Sequence, residues 1–420
     1  MIPYADFGYF LLLLYPLLAL VVLGLLGWLR RPSVLALSLG IAAFQYANPL
    51  GDAQAVAAGM RQLVFFAAYV VASVTLVRGY AALRGRCPEQ PLFYAAVTLA
   101  LVPLVWARLY PAAVAHGLVG RAVGPGKAPL APGVPSGLFD AFGFLGISYM
   151  TLRVVDAIIV LHDGVVKGTP RVADLASYLA FAPTISAGPI DRFHRFTRAL
   201  DALPRRRADY LRDLEAGVHR IAQGFLYKFI VAYSIYRHAL VPLAGRPGLL
   251  AGTAYMYAFS LYLFFDFAGY SAFAVGVGRF FGMPVPENFR APFASRNFRE
   301  MWDRWHISLS WWLRDHVYMR FMLSAARRRW FGGDRRRAHA VGLLLTMALM
   351  GCWHGLEPQY LVYGLYQGVM LVGYDVVGRW NRQYGWIAEG AFTDVAGTIL
   401  TANLFCFGLL IFSGRLFGGH

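Results

Sequence analysis

Charged residues are scarce in this chain of 420 residues, because Asp, Glu, Lys and Arg together make up only 15% of it. A soluble globular domain has about 25% charged and about 45–50% apolar residues, whereas 58% of this chain is hydrophobic. Such a composition excludes a disordered chain, a small disulfide scaffold and a nucleic-acid-binding domain in water. We therefore expect a polytopic membrane protein that has no nucleic-acid partner.

Cysteine is also rare, and Cys87, Cys352 and Cys406 lie far apart. Their odd number and their spacing fit neither a disulfide framework nor a zinc site. The sequence also lacks a GxSxG elbow, a phosphate-binding loop, an HExxH motif and an acidic metal cluster. Without these motifs, a serine acyl-enzyme and a zinc mechanism have no support. We expect no metal and no bound cofactor.

Lysine is almost absent. The basic residues are 36 arginines and three lysines, and the net charge of the chain is +17. The arginines fall between apolar runs, where the positive-inside rule places cytoplasmic loops beside membrane lipids. The Arg30-Arg31 pair and the group Arg78, Arg84 and Arg86 predict two such loops.

Long apolar runs recur along the chain, and a helix needs about 20 apolar residues to cross a membrane. The runs predict an all-α fold with about eleven to thirteen membrane-embedded helices, in one membrane domain over residues 1–420. A further, polar helix is predicted over 300–323. The candidate spans are 8–29, 33–48, 61–78, 92–109, 139–161, 175–188, 217–242, 251–281, 338–353, 359–378 and 395–413.

The polar segment 286–321 concentrates ionisable residues, which are expensive to place in a membrane and therefore mark a candidate site. Asn297 and Glu300 form a plausible capping pair for its helix. On a continuous helix, His306 shares one face with several tryptophans, and Asp303, one turn earlier, is expected to hydrogen-bond the His306 imidazole. The helix either lines a water-filled cavity or lies at the interface, where His306 is merely solvated.

A second candidate, His354, closes the apolar run 338–353 in the sequence Gly-Cys-Trp-His-Gly. Small neighbours permit close approach of a backbone or a substrate. An imidazole titrates near neutrality, which suits a general base acting on a hydroxyl group. A lone buried histidine is more often structural than catalytic, but a second histidine segment in the same chain favours chemistry.

Two carboxylates also lie within or beside apolar stretches of the sequence. Asp266 stands alone in a long apolar helix, where it is a proton relay, the partner of a nearby arginine or the cap of a break at Gly269. Asp191 lies beside Arg192 in the turn 186–193, and a surface ion pair explains it at least as well as a site does.

These segments together resemble the membrane-bound O-acyltransferase family and, within it, the D-alanyl transferase branch. The matching stretches lie between about residues 140 and 368 and are GISY, SAGPIDRF, FFDFAGYSAFAVGV, PENFRAPF, MWDRWHISLSWWLRDHVYMRF and CWHG. The WHISLSxWLRD block with a downstream WHG is highly specific. The sequence YMRF after this block is typical of the D-alanyl branch, whereas the alginate O-acetylase branch typically continues with Pro-Leu-Gly-Gly.

The resemblance implies a ring of membrane helices around a central funnel, in a bacterial cytoplasmic membrane. It implies that a D-alanyl carrier protein supplies D-alanine as a phosphopantetheine thioester, and that a teichoic-acid-like polymer supplies the hydroxyl group. His354, deep in the tunnel, is then the general base, and His306 orients or polarises the thioester. The candidate substrate-binding residues are Trp305, Ser308, Arg304, Asp303, Trp353, Asp266 and Asp191.

Two arginine triplets follow the specific block. If the carrier protein is acidic, a basic cytoplasmic loop would steer its approach. The other explanation is that the triplets only set the topology and contact lipid headgroups. The candidate docking residues are Arg327, Arg328, Arg329, Arg335, Arg336 and Arg337.

Two alternative functions stay open at this point. The first is transfer of acetyl groups to an exopolysaccharide, as in the alginate branch. The second, from another class, is a transporter or flippase in which Asp266, His306 and Arg314 couple transport near the middle of the membrane. Transporters commonly contain paired repeats with matching broken helices, and this sequence shows no clear internal repeat.

Overall fold

The computed structural model describes residues 2–115, 144–388 and 390–418. Within these ranges the regular elements are helices, together with two isolated β-bridges. The predicted all-α class is therefore confirmed. Residues 139–143 of one predicted span lie outside the described residues.

The chain divides into two compact units, and the first comprises Met1–Ile221 and Phe273–Pro286. The prediction of a single membrane domain stays a prediction. The helices that begin in the first unit are α1 (Phe7–Leu25), α2 (Arg31–Ala47), α3 (Ala53–Leu83), α4 (Glu89–Ala115), α5 (Ile147–His162), α6 (Val172–Leu179), α7 (Phe193–Asp201) and α8 (Arg207–Phe225).

The second unit comprises Ala222–Ala272 and Glu287–His420. Helix α8 continues into it through two π-helical segments, Leu226–Ala232 and Tyr236–Leu240. The helices that follow are α9 (Leu249–Phe280), whose last residues belong to the first unit, α10 (Phe298–Arg304), α11 (Ile307–Leu313), α12 (Met319–Arg327), α13 (Arg335–His354), α14 (Pro358–Tyr384) and α15 (Ala391–Phe412).

Six helices of the described residues are long and apolar enough to cross a membrane, which confirms a multi-pass membrane protein. They are α1, α3, α4 through Leu109, α9, α14 and α15. The span predicted over 175–188 is wrong. Helix α6 has only eight residues and is followed by a 3-10 turn at Ala182–Thr184, so it extends about 12 Å, far less than the roughly 30 Å of a bilayer core.

Buried ion pairs hold the turn that contains Asp191. Its carboxylate accepts hydrogen bonds from the Arg195 guanidinium and from the Arg192 backbone N–H, at 2.7 Å for the latter. The Arg192 side chain instead pairs with the buried Asp156, with Nη1 and Oδ1 3.0 Å apart. Burial raises the pKa of Asp191, although Arg195 acts in the opposite direction. The expected Asp191–Arg192 surface pair is therefore wrong, because Asp191 is buried and its side-chain partner is Arg195.

Helices α13 and α14 pack with their backbones in close contact, and glycine makes this possible. A Cβ atom on Gly364 would overlap the Met347 carbonyl oxygen, and one on Gly351 would overlap the Tyr360 carbonyl oxygen. Small residues permit such close approach between membrane helices. Gly351 lies one turn before His354, so this contact also determines where the end of α13 is held.

A pair of substitutions on α14 tests this packing. Gly364→Ala should lower the unfolding temperature, because its methyl group overlaps backbone atoms and overpacking costs about 1–3 kcal/mol. Gly373→Ala is the matched control, because no atom lies within 4 Å of its Cβ position and alanine is the better helix former by about 1 kcal/mol. Thermal unfolding in detergent measures both variants, and equal stability would contradict the close contact.

Candidate active site

The polar segment is interrupted at His306, and the helix that begins after it continues through a π-helical segment, Arg314–Tyr318, into α12. Helix α10 ends at Arg304, Trp305 is extended, and His306 adopts a left-handed conformation with φ 45° and ψ 48° before α11 begins. The predicted continuous helix over 300–323 is therefore wrong. A left-handed conformation costs a residue that has a Cβ about 1–2 kcal/mol, so the surrounding structure must hold His306 in place.

Residues 288–290, which we call the strap, stabilise the break between α10 and α11. The Ile307 N–H donates to the Asn288 carbonyl oxygen at 2.9 Å, and the Arg290 N–H donates to the Arg304 carbonyl oxygen at 3.0 Å. The side chains join the same network, because Ser308 Oγ donates to Asn288 Oδ1 at 2.6 Å. These bonds satisfy backbone groups that the interrupted helix leaves free. Ser308 thus supports the break that positions His306.

His354 is the last residue of α13, and the extended Gly355 follows it. Its imidazole packs edge-on against Phe412, with ring centroids 5.1 Å apart and an interplanar angle of 86°. Tyr363 and Trp353 lie at centroid distances of 6.4 and 4.9 Å from the same ring. The end of the helix therefore presents the imidazole among aromatic side chains.

Both histidines line one cavity of about 60 Å³ in the second unit. Its remaining walls are aliphatic side chains and five aromatic rings, namely Phe267, Trp302, Trp305, Tyr363 and Phe412. His306 packs edge-on against Phe267 at a centroid distance of 4.8 Å. We call this space the histidine cavity. The two histidine motifs of the sequence therefore meet in one place.

The imidazole of His306 is buried, and neither Nδ1 nor Nε2 has a hydrogen-bond partner among the described residues. The expected hydrogen bond from the His306 imidazole to Asp303 is wrong, because it required a continuous helix to bring the two side chains onto one face. Burial, with a smaller contribution from His354, lowers the pKa of His306 to about 3. The imidazole is therefore neutral at physiological pH and can donate one hydrogen bond and accept another.

A larger cavity of about 430 Å³ lies beside α10, α11 and α13. Trp302 lines both cavities, and its Nε1 has no partner within the described part of the chain. A polar network borders the larger space. Tyr318 contacts His339 Nδ1 at 2.6 Å, His339 Nε2 contacts Asp375 at 2.5 Å, and Arg299 donates to Asp375 at 2.8 Å.

The other predicted site residues take several positions. Trp305 lines the histidine cavity, and Asp303 lines the larger cavity. Arg304 pairs with Glu300 on its own helix. Asp266 forms an ion pair with Lys228, whereas its chain neighbour Phe267 faces the histidine cavity. Asp191 belongs to the first unit.

The two arginine triplets lie at the end of α12 and the start of α13. Asp334 caps α13 by accepting from the N–H groups of Arg336 and Arg337 at 2.8 and 3.3 Å. These backbone bonds lower the pKa of Asp334. The side chains of all six arginines are exposed, and the residues are Arg327, Arg328, Arg329, Arg335, Arg336 and Arg337.

Sequence reasoning missed the four other aromatic residues that line the histidine cavity: Phe267, Trp302, Tyr363 and Phe412. Trp302 offered a signal, because it lies close to His306 within a polar segment. The other three are aromatic residues in long apolar helices, and nothing local distinguishes them from aromatic residues that face lipid.

Part of the chain matches a known protein family, and the chain as a whole is similar to characterised relatives. Residues 162–413 match the model of the membrane-bound O-acyltransferase family. The chain is 36% identical to the teichoic acid D-alanyltransferase of Bacillus subtilis (strain 168), over the full length of both proteins. It is 33% identical to the teichoic acid D-alanyltransferase of Streptococcus thermophilus, over 84% of this chain and 83% of that protein.

A second group of relatives is matched over a shorter part. The chain is 32% identical to a probable alginate O-acetylase of Pseudomonas syringae pv. tomato, over 65% of this chain and 51% of that protein. The similarity to the D-alanyl group is therefore the more extensive of the two.

The left-handed conformation of His306 predicts an order of stability between two variants. His306→Gly should be more stable than His306→Ala by about 1 kcal/mol, because only glycine adopts this conformation without steric cost. Chemical denaturation in detergent measures the difference. If alanine were the more stable residue, His306 would not be held in a left-handed conformation.

Proposed function

The chain belongs to the membrane-bound O-acyltransferase family and is an acyltransferase, and on this premise we propose that it transfers D-alanine to a hydroxyl group of a teichoic acid. The donor is a thioester on the phosphopantetheine arm of a carrier protein, at the cytoplasmic membrane of a bacterium. The observation that carries this proposal is the meeting of His306 and His354 in one aromatic cavity. Similarity to the two D-alanyltransferases over most of the chain supports the choice of acyl group and acceptor.

His354 is the general base of the proposed reaction. It removes the proton from the acceptor hydroxyl, and the oxygen attacks the carbonyl carbon of the thioester. The tetrahedral intermediate then expels the pantetheine thiolate, which takes the proton back from the imidazolium. The new ester bond replaces the carbon–sulfur bond, and no proton is gained or lost overall. General base catalysis of this kind contributes about 10²- to 10⁴-fold to a rate.

His306 is suited to polarise the thioester carbonyl. A neutral imidazole has one N–H group, and both ring nitrogens of His306 are without partners in the described chain. A fixed donor aimed at a developing oxyanion is worth more in a low-dielectric site than it is in solution. A carbonyl oxygen of the donor would also provide the missing hydrogen-bond partner for this buried group.

The larger cavity is suited to the arm of the donor. Its volume of about 430 Å³ lies within the roughly 300–1,000 Å³ of small-molecule sites. Trp302 is a wall that this space shares with the histidine cavity. An arm that occupies the larger space could therefore present its thioester beside Trp302, close to the two histidines.

Direct attack by the acceptor is favoured over an acyl-enzyme. Within the described part of the chain, no Ser, Thr, Cys or Lys lines the histidine cavity, and Tyr363 is the lining residue that carries a hydroxyl group. Holding two substrates together removes much of the entropic barrier without a covalent intermediate. A transporter coupled through Asp266 loses its basis, because this carboxylate forms an ion pair with Lys228 and the chain belongs to an acyltransferase family.

The arginines at the start of α13 support carrier docking. Positive charge in the first turn opposes the helix dipole, so Arg335, Arg336 and Arg337 do not stabilise the helix that they begin. Their exposed side chains could instead attract an acidic carrier and raise its association rate.

The first prediction for this reaction concerns the base. His354→Ala should reduce D-alanyl transfer in membranes to below about 1%, because the acceptor hydroxyl loses its proton acceptor. His306→Ala should be severely impaired but retain more activity than His354→Ala, because His306 only orients and polarises the donor. The control is His219→Ala, at an exposed position of the first unit. Near-normal turnover by His354→Ala would contradict its role.

The second prediction concerns the carrier. Changing Arg335, Arg336 and Arg337 together to Glu should slow carrier-dependent transfer most at low ionic strength, where screening is weakest. The response to acceptor concentration should stay the same. The triple change to Lys keeps the charge and is the control. An equal loss at low and high salt, or poor membrane insertion, would show that the arginines set topology and that the carrier docks elsewhere.

A further inference from the structure

Aromatic rings form a corner beside His354 inside the histidine cavity. Tyr363 and Phe412 both line this cavity, and their ring centroids are 5.2 Å apart at an interplanar angle of 69°. Phe412 also contacts His354 itself, as described above. Two rings at a steep angle present different aromatic surfaces to the space next to the general base.

The proposed donor would bring a positive charge into this space. An α-amino group has a pKa of about 8 and is mostly protonated at neutral pH. In a D-alanyl thioester the ammonium-bearing carbon is bonded directly to the carbonyl carbon. When that carbonyl is in place for attack with His354 as the base, the ammonium group must therefore lie in or beside the same cavity.

A buried ammonium group is usually paired with a carboxylate. No Asp or Glu is among the described residues that line it. A buried charge without compensation is very costly. The face of a Phe, Tyr or Trp ring attracts a cation within about 6 Å of its centroid, and this attraction increases when water is excluded.

We propose that the corner formed by Tyr363 and Phe412 binds the α-ammonium group of the donor through cation–π contacts. The corner thereby selects an aminoacyl donor over a neutral acyl donor. This inference rests on the proposed function, and it adds that the cavity recognises the α-ammonium group of the donor. The two residues are specificity determinants, because they contact the substrate without taking part in proton transfer.

A carboxylate near the cavity is the competing explanation. Glu357 lies three residues after His354 and is exposed, and a Cβ atom on Gly355 would overlap its Oε2 atom. It does not line the histidine cavity. If Glu357 were the partner of the ammonium group, selectivity would depend on this carboxylate rather than on the rings.

The test compares two donors of nearly the same shape. The carrier is loaded on its phosphopantetheine arm with D-alanine or with D-lactate, in which a hydroxyl group replaces the ammonium group. Transfer is measured in membranes that contain the full-length protein. The variants are Phe412→Leu and Tyr363→Leu, which remove an aromatic face, and Phe412→Tyr and Tyr363→Phe, which keep it. Glu357→Gln tests the carboxylate.

The readout is the ratio of kcat/KM for D-alanyl to that for D-lactyl. The wild type should favour D-alanyl, and each Leu variant should reduce the ratio by about tenfold. The two aromatic replacements and Glu357→Gln should keep the ratio of the wild type. The use of two positions allows a decision even if one Leu variant fails to fold.

Three results would contradict the inference or its premise, and they differ from one another. If the Leu variants lose activity with both donors equally, the rings only support His354 and the inference is wrong. If Glu357→Gln removes the selectivity, the carboxylate binds the ammonium group. If the wild type transfers neither acyl group from the carrier, the proposed function itself fails.

Discussion

In apolar surroundings, each backbone group that a helix leaves unpaired must find another partner, and the candidate site depends on how the chain meets this constraint. The break between α10 and α11 frees such groups and places His306 in a left-handed conformation. The buried Asn288 binds Ile307 through its carbonyl oxygen and Ser308 through its side chain. Without this strap, the histidine would not be held against the aromatic wall of the cavity.

Buried polar groups of the described residues differ in whether they have a partner. In the first unit, buried carboxylates pair with arginines, as in Asp191 with Arg195 and Asp156 with Arg192. In the second unit, His306 stays neutral, and its nitrogens are unpartnered in the described chain. A paired charge is a satisfied structural group, whereas an unpartnered imidazole in a cavity is available to a substrate. His306 also lies with His354 in one cavity, and for this reason we propose the histidine cavity as the place for chemistry.

Sequence reasoning identified the membrane class, the family and both histidines, because apolar runs and the tryptophan–histidine motifs are local signals. The helix break at His306 could not be predicted, because it depends on bonds to Asn288 in a loop earlier in the segment 286–321. Local helix periodicity continues through the break and gives no sign of it. The error about Asp303 followed from that continuity. The cavity walls at Tyr363 and Phe412 were missed for another reason. Aromatic residues in apolar helices look the same in the sequence whether they face lipid or substrate.

Direct attack on the donor is the central feature of the proposed mechanism, and it has a direct test. The purified protein is incubated with carrier loaded with labelled D-alanine, in the absence of acceptor, and its intact mass is measured. Direct transfer predicts no added alanyl group on the chain, in keeping with a cavity in which no Ser, Thr, Cys or Lys is among the described lining residues. An alanyl adduct on the chain that later moves to added acceptor would contradict direct transfer and require an acyl-enzyme.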